Sequence, residues 1–264
     1  MTQFIPCRIC ATKPGPAPGF YFKKVKDRPQ LGVVECECHK QFILQRHLES
    51  KVMEAGVWAE AINYDPDKNY LGTKSIKEVE HLKKYVYGFP KHKDLMVYMW
   101  GTNGTQKTYL AHWVGASILH QGYSVRYLLM QSLLMTLVGF DKDDGRQQEK
   151  NAEIEKLKNV DLLIVDESFS RDKVTIYDSG YQLPYLDRFL RERCEMNKKG
   201  VVFISNKPPE DISKQKFSPS IESFVLRNIR RPDQGSTCLF FEDKYLELRN
   251  NQDVGDIGSF FDKE

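Results

Sequence analysis

The sequence predicts an α/β fold in which a parallel sheet covered by helices follows a small cysteine-rich module. The sheet is predicted because short, nearly continuous apolar segments alternate with helical segments from residue 95 onward. That alternation is typical of strands buried on both faces. The module is predicted because four of the six cysteines lie within the first 38 residues. A chain of 264 residues has room for one ordinary domain and such a module.

The elements follow from the apolar periodicity and from the turn residues that interrupt it. The predicted strands cover residues 95–100, 124–129, 161–166 and 200–205. The predicted helices cover residues 40–61, 107–120, 133–138 and 186–197. Ser132 is the expected N-cap of the helix that starts at residue 133.

We expect four segments along the chain. Residues 1–62 form the cysteine module with its helix, and residues 63–72, which are rich in turn-forming residues, form a linker. Residues 73–249 form the larger domain. Residues 250–264, which are acidic around paired phenylalanines, form a terminal tail.

Composition excludes several classes of protein. The chain is 41 % hydrophobic and 28 % charged, which argues against a disordered or fibrous chain. Its longest apolar stretch, residues 128–140, contains polar residues and is shorter than the roughly 20 residues that a membrane span needs. The first residues lack the pattern of a secretory signal. We therefore expect a soluble cytoplasmic protein with no membrane partner.

Charge is distributed unevenly. Residues 188–231 contain eleven Lys and Arg against five Asp and Glu, and residues 232–264 contain three against eight. A basic stretch of this density can attract nucleic-acid phosphates, and it is equally compatible with a solvated helix face.

The cysteine spacing predicts a zinc site. Cys7 and Cys10 form a CxxC knuckle, and Cys36 and Cys38 lie two apart on an expected strand, so their side chains would point the same way. Four thiolates are a ligand set for structural zinc. His39 is a competing fourth ligand if the strand ends at Cys38, and reduced, partly buried thiols are the alternative. A module this small needs a metal to supplement its core.

A phosphate-binding loop is predicted directly after the strand at residues 95–100. Residues 101–108 read Gly-Thr-Asn-Gly-Thr-Gln-Lys-Thr and fit the P-loop pattern GxxxxGK[ST], with Gln106 in place of the second glycine. Backbone N–H groups would bind phosphate, Lys107 would reach the β- and γ-phosphates of ATP, and the Thr108 hydroxyl would bind Mg²⁺. We expect Gln106 to restrict the loop geometry. The predicted nucleotide-binding residues are Gly101, Thr102, Asn103, Gly104, Thr105, Gln106, Lys107, Thr108 and Tyr109.

Polar residues that end two later strands complete the predicted site. Asp166 and Glu167 follow an apolar strand; Asp166 would hold Mg²⁺ and Glu167 would polarise the attacking water. Asn206, after the strand at 200–205, would contact the γ-phosphate or the water. Taken alone, the acidic pair is also compatible with a helix cap, and Asn206 with the start of a turn before Pro208.

The chain resembles the DnaC/DnaI-type replicative-helicase loaders, a branch of the AAA+ ATPases. The resemblance rests on the cysteine module and on residues 100–108, 162–167 and 203–208. It implies a small zinc-binding, helicase-contacting domain before an AAA+ P-loop domain. It also implies ATP-dependent delivery of a hexameric helicase onto single-stranded DNA, by a loader that assembles on the helicase ring.

The resemblance further implies an arginine that reaches the nucleotide of a neighbouring subunit. Arg227 is the preferred candidate and Arg230 the second, and both are also compatible with plain surface arginines. The late Tyr-Arg pair of the family is missing, because Leu246 follows Tyr245; Arg249 is a weak substitute for this second sensor.

Two other functions stay open. Gln106 is compatible with a nucleotide-binding adaptor that does not hydrolyse ATP. A transposition-helper ATPase of the related IstB type is the other alternative, and the cysteine module argues against it.

Overall fold

The computed structural model describes residues 5–13, 17–18, 20–24, 31–70, 75–139, 144–177, 179–231 and 235–242. The chain divides into two compact units, Met1–Glu54 and Ala55–Glu264. The predicted acidic tail, Tyr245, Leu246 and Arg249 lie outside the described residues.

The small unit is a β-hairpin between two helices. Helix α1 (Arg8–Thr12) precedes strands β1 (Phe20–Lys24) and β2 (Leu31–Glu35), and helix α2 (Glu37–Glu54) follows. The strands are antiparallel, with Phe20 opposite Glu35. Helix α2 ends at Glu54 rather than near residue 61, because a turn with Gly56 at φ 75° breaks it; this is a backbone conformation that favours glycine.

The large unit is built on a five-stranded parallel sheet with the spatial order β4-β5-β6-β3-β9. Strand β6 therefore lies between β3 and β5. A short antiparallel pair, β7 with β8, precedes the last strand. The strands are β3 (Met96–Gly101), β4 (Val125–Leu129), β5 (Leu162–Asp166), β6 (Gly200–Ser205), β7 (Arg230–Arg231), β8 (Gly235–Ser236) and β9 (Cys238–Phe241).

Helices connect and cover the strands of this sheet. They are α3 (Pro66–Asn69), α4 (Ile76–Tyr87), α5 (Lys107–His120), α6 (Met130–Val138), α7 (Asp144–Asn159), α8 (Leu183–Arg191) and α9 (Pro219–Ile229). Short 3₁₀ turns occupy Ala59–Asn63, Phe89–Lys91, Pro209–Asp211 and Ser213–Gln215. No helix within the described residues is long and apolar enough to cross a membrane.

The core explains why the sheet forms. All of β5 and β6 is buried, as expected for central parallel strands with nothing polar to place in water. Helix α5 is buried on most of its surface, because the sheet packs on one side of it and other segments of the unit cover the rest. The predicted α/β fold with a helix-covered parallel sheet is confirmed.

Two predicted helices differ in their bounds. Helix α6 begins at Met130, with Leu129 rather than Ser132 before its first turn. The helix predicted over 186–197 is α8 followed by a π-helical turn, Glu192–Met196. That turn carries the fully buried Arg193, whose guanidinium donates to the carbonyls of Leu157 and Gly200 at 2.6 Å each. Arg193 thus ties the end of α7 to the start of β6.

Candidate functional site

The predicted phosphate loop connects the end of β3 to the first turn of α5. Gly101, Gly104 and Gln106 all have positive φ, at 149°, 83° and 58°. A Cβ on Gly101 would lie 2.0 Å from the carbonyl oxygen of Phe241 in β9, so only glycine permits the close approach of the two backbones. Gly104 faces open space. These backbone angles curl the loop over the N-terminus of α5, where unpaired N–H groups favour an anion.

Gln106 occupies the position of the motif's second glycine and takes a left-handed conformation, with φ 58° and ψ 19°. Such a conformation costs a non-glycine residue on the order of 1 kcal/mol. The side-chain Oε1 of Gln106 accepts a hydrogen bond from the hydroxyl of Tyr64 at 3.2 Å. The side chain at this position therefore does not prevent the left-handed turn.

Lys107 folds back onto the loop. Its ammonium donates to the carbonyls of Gly101 at 3.0 Å and Thr102 at 2.7 Å, and to Oγ1 of Thr105 at 3.0 Å. Burial lowers the pKa of Lys107 to about 8, against the opposing attraction of Asp166. The lysine thus places a cation under the loop, where phosphate oxygens can compete with the carbonyls for it.

Asp166 of the acidic motif is hydrogen-bonded to Thr108 of the phosphate loop motif. Its Oδ2 accepts hydrogen bonds from the hydroxyls of Thr108 at 2.9 Å and Tyr127 at 2.8 Å. Its Oδ1 accepts from the backbone N–H of Glu167 at 2.6 Å. Burial first, and the nearby Asp166 charge second, raise the pKa of Tyr127, so its hydroxyl stays a donor. A carboxylate beside a threonine hydroxyl is an oxygen ligand set that suits Mg²⁺.

A cavity of about 320 Å³ opens over this group. Glu167 and Asn206 line it together with the loop, and Glu167 pairs with Lys173 at 3.4 Å. Asn206 is exposed directly after β6, the strand between the two motif strands. The predicted loop residues 103–109, the acidic pair and Asn206 therefore line one cavity, whereas the predicted Gly101 and Thr102 do not line it. Its lining residues are Trp58, Asn103, Gly104, Thr105, Gln106, Lys107, Thr108, Tyr109, Asp166, Glu167, Ser170, Lys173, Ile204, Ser205 and Asn206.

Four thiols of the small unit form a second site. The Sγ atoms of Cys7, Cys10, Cys36 and Cys38 all lie within 4.8 Å of one another. The Cys7–Cys36 and Cys10–Cys38 separations are 3.6 and 3.5 Å. Four sulfurs placed tetrahedrally at about 2.3 Å from zinc would be about 3.8 Å apart. The residues therefore fit a four-thiolate zinc site.

The predicted reason for this convergence is wrong in one respect. Cys36 follows β2 and Cys38 lies in the first turn of α2, so they are not two residues apart on one strand. The strand-to-helix turn brings both sulfurs to the CxxC knuckle at the start of α1. Backbone hydrogen bonds from Cys10 and Ile9 lower the pKa of Cys7 to about 6, which favours the thiolate that a metal needs.

His39 is not part of the thiol cluster. Its Nδ1 lies 2.7 Å from Oε1 of Glu35, and its ring packs on Phe20 at a centroid distance of 4.8 Å. Within the described residues, the metal-ligand group consists of the four cysteines without this histidine.

The part of the chain that carries both motifs matches a known protein family. The family described as "IstB-like ATP binding protein" matches residues 45–176, which is half of the chain and includes both motifs. The chain belongs to this IstB-like ATP-binding family. Both the predicted resemblance to DnaC-like AAA+ proteins and the ATP-binding character of the P-loop domain are confirmed at this level.

Relatives and solved structures agree with this assignment. The chromosomal replication initiator DnaA of Streptococcus equi subsp. zooepidemicus is 28 % identical over 155 residues, 57 % of this chain and 33 % of that protein. The chain spans about a quarter to a third of the length of the curated relatives it matches. A crystal structure of DnaI has a TM-score of 0.52 at 17 % identity, covering 69 % of this chain and 93 % of that one. A crystal structure of the DnaC helicase loader has a TM-score of 0.50 at 17 % identity, covering 68 % of this chain and 94 % of that one. Likeness at this identity shows a shared AAA+ fold.

The two candidate arginines of this IstB-like chain lie on helix α9 and just after it, and neither lines the cavity. Arg227 pairs with Glu195 at 2.5 Å and lies over the ring of Phe224. Arg230 is exposed and pairs with Glu210. A contact of either one with a nucleotide would require a second copy of the chain, so their role stays a prediction.

Sequence reasoning missed several residues at the site. Tyr127 gave one weak signal, as the second polar side chain, after Arg126, in the strand β4 that pairs with β5. Trp58 lines the cavity from a segment well before the loop, where long-range packing places it. Lys173 reaches the cavity from a turn that follows the acidic pair, and no motif marks it.

Proposed function

We propose that this chain is an ATP-dependent loader that binds a hexameric replicative helicase in the cytoplasm and helps to place it on single-stranded DNA. The observation that carries the proposal is the hydrogen bond between Thr108 and Asp166 beneath the phosphate loop. It joins the first turn of α5, directly after the phosphate loop, to the end of β5 at one cavity, in a chain that also has a four-thiol module. The fold shared with DnaI and DnaC gives further support.

The residues of the large unit would divide the ATPase work as follows. The loop amides and Lys107 hold the phosphates, and Thr108 and Asp166 hold Mg²⁺. The ion, when bound, neutralises charge on the phosphate oxygens. Glu167 takes a proton from the attacking water, and Lys173 pairs with its carboxylate at 3.4 Å. Asn206 orients the water or the terminal phosphate.

The proposed organisation follows the predicted segments. The small unit with the zinc-binding thiols, within the predicted residues 1–62, contacts the helicase. The large unit, which includes the predicted residues 73–249, is the motor, and residues 250–264 are a tail. Copies of the chain assemble on the helicase ring, and Arg227 or Arg230 reaches the nucleotide of the next copy. Hydrolysis then depends on assembly.

The experiment is a native mass measurement of the chain mixed with a candidate hexameric helicase, with and without ATP. We expect several copies per hexamer in the presence of ATP, and fewer with the Lys107→Ala variant. Lys84→Ala, on helix α4 of the same unit, is the matched control and should behave as wild type. Absence of any complex with replicative helicases would contradict the loader function.

A transposition-helper ATPase is the second candidate, and the match to the IstB-like family favours it. The two candidates differ in what binds the protein. A loader would bind the host helicase and single-stranded DNA, so a pull-down against that helicase discriminates between the two candidates. The cysteine module argues for the loader. A non-hydrolysing adaptor is separated from the loader by a turnover assay with helicase and single-stranded DNA present.

A further inference from the structure

The backbone at Gln106 takes a conformation that favours glycine, and a side-chain contact accompanies it. Its φ of 58° lies in the left-handed region, where the P-loop pattern has glycine. Its Oε1 accepts the hydrogen bond from Tyr64. Because the residue directly precedes Lys107 and caps α5, its backbone angles determine where the following N–H groups point.

Tyr64 is held in place by the segment that precedes it. This segment comprises residues 57–64. Its Val57 is buried and packs against Gly115 of α5, so closely that a Cβ added to Gly115 would lie 3.0 Å from Cγ2 of Val57. The backbone N–H of Trp58 donates to Nδ1 of His112 at 3.2 Å, and their rings stack at 4.0 Å. The segment therefore runs along α5 from its middle towards its N-terminus, and delivers Tyr64 to the residue before the helix.

The hydroxyl of Tyr64 remains a donor at neutral pH. Burial raises the pKa of Tyr64 to about 12, with smaller contributions from Tyr70 and Tyr109. Its ring also stacks with that of Tyr109 at 6.1 Å, the residue that follows the phosphate motif. The position of the hydroxyl is therefore fixed by packing as well as by the hydrogen bond itself.

We propose that Tyr64 is a positioning residue for nucleotide binding: its hydroxyl holds the Gln106 side chain and so keeps residue 106 in the left-handed conformation. The inference rests on the proposed ATP binding and deepens it. In the P-loop pattern, glycine adopts the left-handed conformation freely because it has no side chain. Here Tyr64, 42 positions before Gln106, would stabilise that conformation through its hydrogen bond.

The consequence is a population effect. Without the hydrogen bond, Gln106 would spend part of its time at negative φ, and only the left-handed fraction of the protein would bind phosphate well. The apparent Kd rises as that fraction falls. The loss of one neutral hydrogen bond would weaken nucleotide binding by about fivefold. A glycine at this position would need no such support.

The test is a double-mutant cycle on the full chain, with the Kd of a fluorescent ATP analogue and Mg²⁺ as the readout. Tyr64→Phe should weaken binding about fivefold. In the Gln106→Gly background the same substitution should change Kd by less than about twofold. Tyr87→Phe, which removes an exposed hydroxyl at the end of α4, is the matched control. Thermal unfolding of each variant reports whether the fold is kept.

The outcomes separate this proposal from the function it rests on. If the wild type binds and Tyr64→Phe binds equally well, the positioning role is overturned and ATP binding stands. If Tyr64→Phe weakens binding equally in both backgrounds, its effect does not pass through Gln106, and the proposal is also overturned. If the wild type binds no adenine nucleotide, the proposed function and this inference both fail.

Discussion

The two units of the chain are stabilised by different means. In the small unit, the described buried hydrophobic residues are Cys10, Cys36 and Val52, and apolar side chains such as Ile9 and Val33 are more than half exposed. The large unit has a continuous apolar core on the parallel sheet. We therefore expect the small unit to need its thiols for a fixed structure, whereas the burial of strands and helices stabilises the large unit.

Removal of zinc is expected to have the largest effect and would test this comparison directly. Structural zinc contributes on the order of 10 kcal/mol to the folding of small modules. A strong chelator should therefore unfold the small unit, and hydrogen exchange should accelerate in residues 5–54 but not in the large unit. Cys36→Ser should act like the chelator.

Cys238→Ser, in β9 and outside the thiol cluster, is the matched control for that experiment. It should retain a full equivalent of zinc by metal analysis. Unchanged exchange in residues 5–54 after complete zinc removal would show that the small unit folds without the metal.

Loss of Glu167 tests the large unit by its chemistry. Glu167→Gln should lower the rate of ATP hydrolysis by about 10²-fold or more, because it removes the base that accepts a proton from water. Nucleotide affinity and zinc content should change little. The measurement is steady-state turnover with helicase and single-stranded DNA present.

Glu155→Gln, an exposed carboxylate on α7, serves as the control for this substitution and should hydrolyse ATP at the wild-type rate. Equal turnover of wild type and Glu167→Gln would favour the non-hydrolysing adaptor.

A smaller expected effect is the pH dependence of the stability of the large unit, which comes from its buried His112. His112 is fully buried in α5; its Nδ1 accepts the N–H of Trp58, and its Nε2 has no partner in the described part of the chain. Burial lowers the pKa of His112 to about 4 from 6.5, although Asp166 and Glu60 oppose the shift. The ring of Tyr127 packs against the His112 ring at a centroid distance of 4.1 Å.

The sign of the effect follows from that shift. Between pH 6.5 and pH 4 the unfolded chain binds a proton that the folded chain does not, so the free energy of unfolding falls as the pH is lowered. The loss from pH 7 to pH 5 should be about 2 kcal/mol. Denaturant titrations should show this slope in wild type and in His120→Gln, an exposed position on α5, but not in His112→Gln. The same slope in all three proteins would contradict the assignment of this pH dependence to His112.

Much of the large unit was predictable, because local features specify it. Strands β5 and β6 are runs of apolar residues bounded by polar residues or glycine, and α5 begins at the motif lysine as expected. The small unit was less predictable. Its four predicted thiols do lie together, but α2 begins at Glu37, directly after Cys36, so Cys36 and Cys38 do not share a strand.

The contacts that the sequence did not reveal are long-range ones. Strand β9 was not anticipated, because its pairing with β3 joins residues about 140 positions apart. Tyr64 and Trp58 reach the loop through packing on α5, and no motif marks them. The sequence therefore predicted most of the motif residues that line the cavity, but not Trp58, Tyr64 and Tyr127, which pack beside them.

The most direct test of the central claim is a crystal structure of the protein with a non-hydrolysable ATP analogue and Mg²⁺. We predict the triphosphate under residues 101–108, contacts from Lys107 to its terminal phosphates, and the ion between Thr108 and Asp166. A cavity that stays empty at saturating analogue, with Lys107 still bonded to the loop carbonyls, would contradict the account.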